Sequence, residues 1–387
     1  MQKPVYFDNA ATTFPKPAAV RNAAVQAILR AGGNPGRGGH ILARRAGEAV
    51  YHARETAANL FGAEPEQVIF TQNCTHALNL AVQGTLRQGD HVILSSMEHN
   101  SVLRPVAALA EKGIIRYSVA PVSADTDETL RAIRERIRPQ TRAVICTLAS
   151  NVTGQILPFR AIGQLCREKE LIFIADGAQG CGLLPVSLHD DGIHLLCTAG
   201  HKGLYGIMGT GMLISDGSVA LQPLMQGGTG SLSGSLRQPD FMPDALEAGT
   251  LNVPGIAALD AGMQWVMQQG ADHIRAHEEA LCRQLTAQLK RIPDAVIYRD
   301  PQAEYLPVVS FTLGSELPDQ TAERLSAAGF CLRAGLQCAP LAHETLGTPQ
   351  GTVRFSPSFW NTPDEVAQLC KVLSASAPPA CARAFSP

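Results

Sequence analysis

Short apolar runs rich in β-branched residues, at Val68–Thr71, His91–Ser95, 143–149 and 171–175, alternate with helical patterns at 75–86, 102–112, 129–137 and 159–170. A strand that is apolar along its whole length is buried on both faces, and helical crossovers between such strands are what cover those faces. The alternation therefore predicts an α/β domain built on a parallel sheet with helices on both sides. In open sheets of this kind ligands gather at the carboxyl ends of the strands, where loops carry chemistry on a rigid base. The loops that follow these strands are where site residues are expected.

The pattern changes further along the chain. Residues 227–244 are rich in Gly, Ser, Pro and Leu, lack a sustained period and read as a long excursion. After Pro254, helices are expected at 256–269 and Ala271–Leu289, with short strands at 308–313 and 331–333, so a separate α+β domain follows the first. The 387 residues are enough for a large domain and a smaller one. No internal repeat is visible, and the tail from Ser374, with Pro378 and Pro379, is expected to fray.

Composition removes several classes of function. With 45% apolar residues, 17% charged residues and a formal net charge of -2, the chain carries no bias toward nucleic acid or anionic membranes. No apolar stretch reaches the ~20 residues of a membrane-spanning helix, and the start MQKPVYFDNAATT lacks the blocks of a signal peptide, so a cytoplasmic protein is expected. The ten cysteines are scattered rather than arranged as a disulfide framework. Cys146, Cys166, Cys197 and Cys370 lie in apolar or helical segments and read as small buried hydrophobes. Neither Cys-x-x-Cys nor His-Glu-x-x-His occurs, and no metal site is expected.

The chemistry concentrates in three loops. In 195–211, LLCTAGHKGLYGIMGTG, Lys202 follows a strand and is flanked by Gly200 and Gly203, which let the backbone turn tightly and bring an amine to the edge of the sheet. In 171–180, LIFIADGAQG, an apolar strand ends in Asp176, a carboxylate that is costly there unless paired. A protonated pyridine nitrogen is one such partner; a metal ion or a helix N-terminus is another. Gln179 follows within reach of the same ligand. Upstream, Val68–Thr71 runs through Gln72, Asn73, Cys74 and Thr75 into a helix whose free amides suit a phosphate, although a plain N-cap calls for the same residues. His201 could add a phosphate contact, and His99 is placed to stack on a ring.

YFDNAATT (6–13), NPGRGGH (34–40), MEHNS (97–101), ASNVTG (149–154), ADGAQ (175–179), GHKGLYG (200–206), EAGTLN (247–252), RAGLQCAP (333–340) and VRFS (353–356) occur in that order. Together they resemble the class V aminotransferase superfamily and, within it, the cysteine desulfurases. The resemblance implies fold type I of the pyridoxal-phosphate-dependent transferases: an α/β large domain with a mixed, mainly parallel sheet, and a smaller α+β C-terminal domain. It implies a division into a segment 1–15 that joins the small domain, a cofactor-binding domain 16–256 and a small domain 257–387. It also implies a homodimer that completes the site.

The residue roles implied by the resemblance follow these motifs. Lys202 is the Schiff-base lysine for pyridoxal 5'-phosphate, Asp176 stands at the pyridine nitrogen, Gln179 at the phenolic oxygen and His99 over the ring. Cys74, Thr75 and His201 lie at the phosphate, with Thr250 reaching across the dimer. Asn151, Arg354 and Arg333 belong to the substrate side, a guanidinium fork being suited to a carboxylate.

Cys338 separates a desulfurase from an aminotransferase. It matches the sulfur-accepting cysteine, and the cationic Arg333 nearby favours the thiolate that must attack sulfur. The short stretch from Cys338 to Arg354 resembles the group II, Suf-type branch rather than the longer-looped IscS/NifS-like group. The reaction implied is L-cysteine to L-alanine, with sulfur passed to Cys338 and then to an acceptor protein or thiol, as in iron-sulfur cluster assembly. Selenocysteine lyase acting on L-selenocysteine, cysteine-sulfinate desulfination, transamination and a non-catalytic sulfur carrier are the alternatives. Two residues depart from the pattern: Gln337 stands where many relatives have histidine, and Ala199 where a serine or threonine is common, with Thr198 a candidate to replace the missing hydroxyl.

Overall fold

The computed structural model describes residues 4–36 and 38–375. Its centre is a seven-stranded sheet in the order Val68–Thr71, Gly211–Ser215, Leu195–Ala199, Ile172–Asp176, Thr141–Thr147, His91–Ser95 and Arg116–Ala120. Successive residues of each central strand alternate between two apolar clusters. Phe70, Ile93, Val144, Phe173 and Leu196 enter one, while Ile69, Leu94, Ile145, Ile174 and Leu195 enter the other. The unbroken apolar runs are thus the signature of a sheet covered on both faces.

The sheet is mixed where the periodicity alone predicted it parallel. Gly211–Ser215 runs antiparallel to both of its neighbours. The cause is local: Gly200 N–H donates to Thr210 O at 3.0 Å and Gly206 N–H to Gly200 O at 2.8 Å, closing a compact return after Ala199. A chain returned this tightly re-enters the sheet beside the strand it left, which only antiparallel pairing permits.

A smaller antiparallel sheet, in the order Val353–Phe355, Val309–Leu313 and Ala295–Ile297, packs with the helices Ala271–Leu289, Pro318–Ala327 and Pro363–Ala375. The N-terminal segment enters this core. Val5–Tyr6 pairs in parallel with Phe330–Cys331, and the Phe7 ring lies 4.6 Å from that of Phe355. The second predicted strand, 331–333, shifts to Phe330–Cys331, and Arg333 instead forms an isolated bridge with Arg354.

Helix Val253–Gln269 crosses residues 256 and 257, so a division of the chain there would cut a continuous element. Its Ile256, Leu259 and Met263 pack into the core of the large domain, whereas Leu281 and Leu285 of the next helix belong to the small one. Residues 227–244 carry no helix or strand. Cys146 and Cys166, Cys197, and Cys370 sit in the three main clusters, and all cysteines among the described residues are free. Ser374 and Ala375 end a helix, while the rest of the tail expected to fray lies outside the described residues. Among the described residues, no helix is long and apolar enough to cross a membrane.

Candidate active site

The loops beyond the carboxyl ends of the central strands surround a cavity lined by Thr75, His99, Asn151, Asp176, His201 and Lys202, among others. Asp176 closes its strand and is 3% exposed. Its Oδ1 accepts from Ala178 N at 2.9 Å and from the Cys74 thiol at 3.4 Å, while Oδ2 makes no hydrogen bond among the described residues. Lys202 follows the strand Leu195–Ala199 through Gly200. A Cβ at Gly200 would meet Thr210 Oγ1 at 2.3 Å and one at Gly203 would meet Cys181 O at 2.4 Å, so both glycines are required for the close packing of this loop. Burial lowers the pKa of Lys202, and the charge of Asp176 opposes that shift.

Two helices direct their N-termini toward this cavity. Asn73 caps Cys74–Thr85 through a bond from His76 N at 2.9 Å, which leaves the Thr75 hydroxyl to meet Ser101 Oγ at 2.7 Å. His99 caps Asn100–Glu111: its Nδ1 accepts from Ser101 N at 3.0 Å and lies 2.9 Å from Ser101 Oγ. With Nδ1 used as an acceptor, the neutral ring carries its proton on Nε2. Burial brings the pKa of His99 down to about 4, so the ring is neutral near pH 7. His201, also brought down to about 4 by burial, has a buried Nδ1 without a partner among the described residues. Such an atom fits a ligand that supplies the missing bond.

Ala199 lines the cavity with a methyl group, and Thr198 does not line it, so Thr198 supplies no replacement hydroxyl. Ser101 does line it, and the sequence reading missed it although it closes the MEHNS segment. Lys16 was also missed. Its ammonium donates to His201 O at 2.7 Å and to Thr13 Oγ1 at 2.6 Å, and burial lowers its pKa to about 7. Glu98 lies beneath the site with 0% exposure; its Oε1 accepts from Thr147 N at 2.8 Å and from Ser95 Oγ. Burial raises its pKa to about 8, and the charge of Asp176 adds to the rise.

The small domain contacts the cavity wall at Asn151, while Arg333, Cys338 and Arg354 themselves do not line the cavity. Arg354, 1% exposed, donates through Nη1 to Asn151 O at 2.8 Å and through Nη2 to Asp8 Oδ1 at 2.7 Å, and its Nε is buried without a partner among the described residues. Asn151 Nδ2 donates to Gln337 O at 2.7 Å, and Asn100 N to Cys338 O at 2.7 Å. The Cys338 loop is therefore tied to the large domain at two successive carbonyls. Cys338 is exposed, and Arg333 Nη2 stands 3.8 Å from its Sγ. Gln179 Nε2 donates to Ala10 O at 3.0 Å beside the cavity. Thr250 is exposed, accepts from Asn34 Nδ2 at 3.2 Å and does not line the cavity within one chain.

A buried amine, a carboxylate with a free oxygen, a neutral imidazole, two helix N-termini and an orphaned histidine nitrogen suit a phosphorylated, cationic aromatic aldehyde. No cluster of potential metal ligands occurs among the described residues. The model of the class V aminotransferases matches residues 5–369. The chain belongs to this family. Within it, the chain is 33% identical over 380 residues to a probable cysteine desulfurase of Methanothermobacter thermautotrophicus, covering 95% of this chain and 94% of that protein. A relative in Mycobacterium leprae, named probable cysteine desulfurase 1, is 32% identical, and the chain spans 61% of its length. Among solved structures, the apo cysteine desulfurase of Thermococcus onnurineus superposes with a TM-score of 0.90 at 27% identity, covering 97% of this chain and 94% of that one. The cysteine desulfurase CsdA of Escherichia coli gives 0.85 at 26%, covering 96% and 94%.

Proposed function

We propose that the protein is a pyridoxal-phosphate-dependent cysteine desulfurase that converts L-cysteine to L-alanine and receives the sulfur on Cys338. The observation that carries this reading is the placement of Cys338, an exposed thiol 3.8 Å from Arg333 Nη2 on a loop bonded to Asn100, which follows the cavity residue His99, and to Asn151 of the cavity wall. A family fold with a lysine and an aspartate in one cavity serves many reactions; an exposed thiol on a loop tied to the cavity wall narrows the choice.

Lys202, Asp176, His99, Gln179, Cys74, Thr75 and His201 would hold the cofactor. When bound it supplies an aldehyde for the substrate amine and an electron sink for the adjacent carbon. Lys202 Nζ, its basicity reduced by burial, takes the Cα proton and returns it. Asp176 Oδ2 would pair with a cationic ring nitrogen, and His99, neutral and fixed by Ser101, would face the ring without adding charge. Arg354 and Asn151 would bind the substrate carboxylate, each giving up a present contact with Asp8, Asn151 O or Gln337 O to do so, with Arg333 near the thiol.

Cys338 Sγ, as thiolate, then attacks the substrate sulfur. A new S–S bond forms, the substrate C–S bond breaks, and its electron pair stays on the substrate carbon. Protonation of that carbon gives alanine, and an acceptor protein or thiol removes the sulfur from Cys338. The exposed Thr250 fits a second subunit's phosphate site in a homodimer, and a cytoplasmic role in iron-sulfur assembly follows from the same reading. We further place the junction between domains near Gly270, where the two apolar cores divide, with residues 4–15 joining the small domain.

The test is product analysis of the cofactor-loaded protein with L-cysteine, with and without a thiol reductant. Alanine and sulfide in equal amounts, the sulfide dependent on reductant, support the reading. Pyruvoyl-type keto acid instead of alanine would show transamination, and no turnover would show a non-catalytic member.

A further inference from the structure

Gln337 and Cys338 both adopt left-handed backbone, with φ of 41° and 58°, a conformation that costs non-glycine residues energy and persists only where surroundings impose it. The Gln337 side chain is 3% exposed and held at both ends. Its Nε2 donates to Thr352 O at 2.8 Å, and its Oε1 lies 2.8 Å from His343 Nε2. A backbone carbonyl only accepts, so the amide nitrogen must face Thr352 and the oxygen must face the histidine. His343 therefore carries its proton on Nε2, and its Nδ1 accepts from the Thr348 hydroxyl at 2.8 Å. The histidine, 1% exposed on the short helix Pro340–Leu346, has both nitrogens committed.

We propose that His343 and Gln337 are positioning residues, a buried lock that holds the Cys338 loop in its left-handed conformation and keeps Sγ beside Arg333. The role of the loop rests on the reading of Cys338 as sulfur acceptor, but the lock itself is a statement about geometry. Gln337, an amide engaged through both its nitrogen and its oxygen, is not a proton relay; it is the peg through which the imidazole of His343 fixes the adjacent residue. The charged group placed against Cys338 Sγ is Arg333, so release of the lock takes the thiol away from its guanidinium neighbour.

The experiment compares wild type, His343→Leu, His343→Gln and Gln337→Leu. In the protein without substrate, the rate of Cys338 alkylation by iodoacetamide at one fixed pH should change about threefold or more in His343→Leu and Gln337→Leu. His343→Gln, whose amide can still donate to Gln337, should return the rate toward wild type. In the loaded enzyme, single-turnover transfer of sulfur to Cys338 should fall about tenfold or more in the two leucine variants and recover in His343→Gln. A merely structural role would lower the melting temperature and leave the alkylation rate unmoved, and that outcome overturns the proposal, as does an unchanged rate in a fully stable variant. If His343→Leu does not fold, Gln337→Leu carries the test. Failure of the desulfurase reading is seen separately: Cys338→Ala would then turn over cysteine at the wild-type rate whatever the alkylation rate of the other variants shows.

Discussion

The thiol of Cys74 donates to Asp176 Oδ1 at 3.4 Å, and the Ala178 amide donates to the same oxygen at 2.9 Å. Burial raises the pKa of the thiol well above its ordinary value, so Cys74 stays protonated and serves as a donor. The two bonds fix the carboxylate by one oxygen and leave Oδ2 for a cationic partner. Asp176→Asn should therefore still bind pyridoxal phosphate but lose about 10²-fold or more in turnover, because a neutral amide cannot hold a ring cation. Cofactor titration and steady-state rates check this, and near-normal turnover would remove Asp176 from that role.

Lys202 is the amine that lines the cavity with Asp176, and its lowered pKa keeps more of it in the nucleophilic form. Borohydride treatment of the loaded protein followed by peptide mapping should place the pyridoxyl label on Lys202. Label on Lys16, a half-buried amine that donates to His201 O, would reverse the assignment.

Glu98 makes stability depend on pH in a defined direction. Its folded pKa of about 8 lies above the ordinary value of 4.5, so between these limits the folded chain holds a proton that the unfolded chain releases. Stability is greatest below about pH 4.5 as far as this group is concerned, and is lost as pH rises through 8. Glu278, raised to about 8 by burial, acts the same way. Glu98→Gln should flatten the decline between pH 5 and 8 and stabilise the protein at about pH 9 by on the order of a few kcal/mol. Denaturant unfolding at several pH values reads this directly, and an unchanged slope would contradict it.

Arg354 makes separate contacts with Asn151 O and Asp8 and retains an Nε unpaired among the described residues. Arg354→Lys keeps one charge but cannot make the fork, so KM for cysteine should rise about tenfold or more while kcat changes less. A fall in kcat at constant KM would place Arg354 elsewhere in the mechanism.

What the sequence revealed, and what it hid, follows from the range of the interactions. The strands Val68–Thr71 and His91–Ser95 and the helix Ala271–Leu289 were legible to the residue because apolar periodicity is a local property. Helix starts were read late. Asp125 caps Thr126–Arg134, and Asn252 caps Val253–Gln269 through Gly255 N at 3.1 Å, with Pro254 in the first turn, where it is tolerated rather than disruptive. At the site, Lys202, Asp176, His99 and Thr75 stood out by type and place and do line one cavity. Asp8 did not, because its partner Arg354 is 346 residues away and nothing local marks the pair. Ser101 and His343 were hidden for the same reason: each matters only through the side chain it holds.

The central claim is that sulfur lodges on Cys338. Mass spectrometry of peptides from the loaded protein after incubation with L-cysteine, without reductant, measures it. One additional sulfur on the peptide that contains Cys338, removed by reductant and absent from Cys338→Ala along with sulfide release, is the predicted result. The extra sulfur on another cysteine, or wild-type release of alanine and sulfide by Cys338→Ala, would contradict the account.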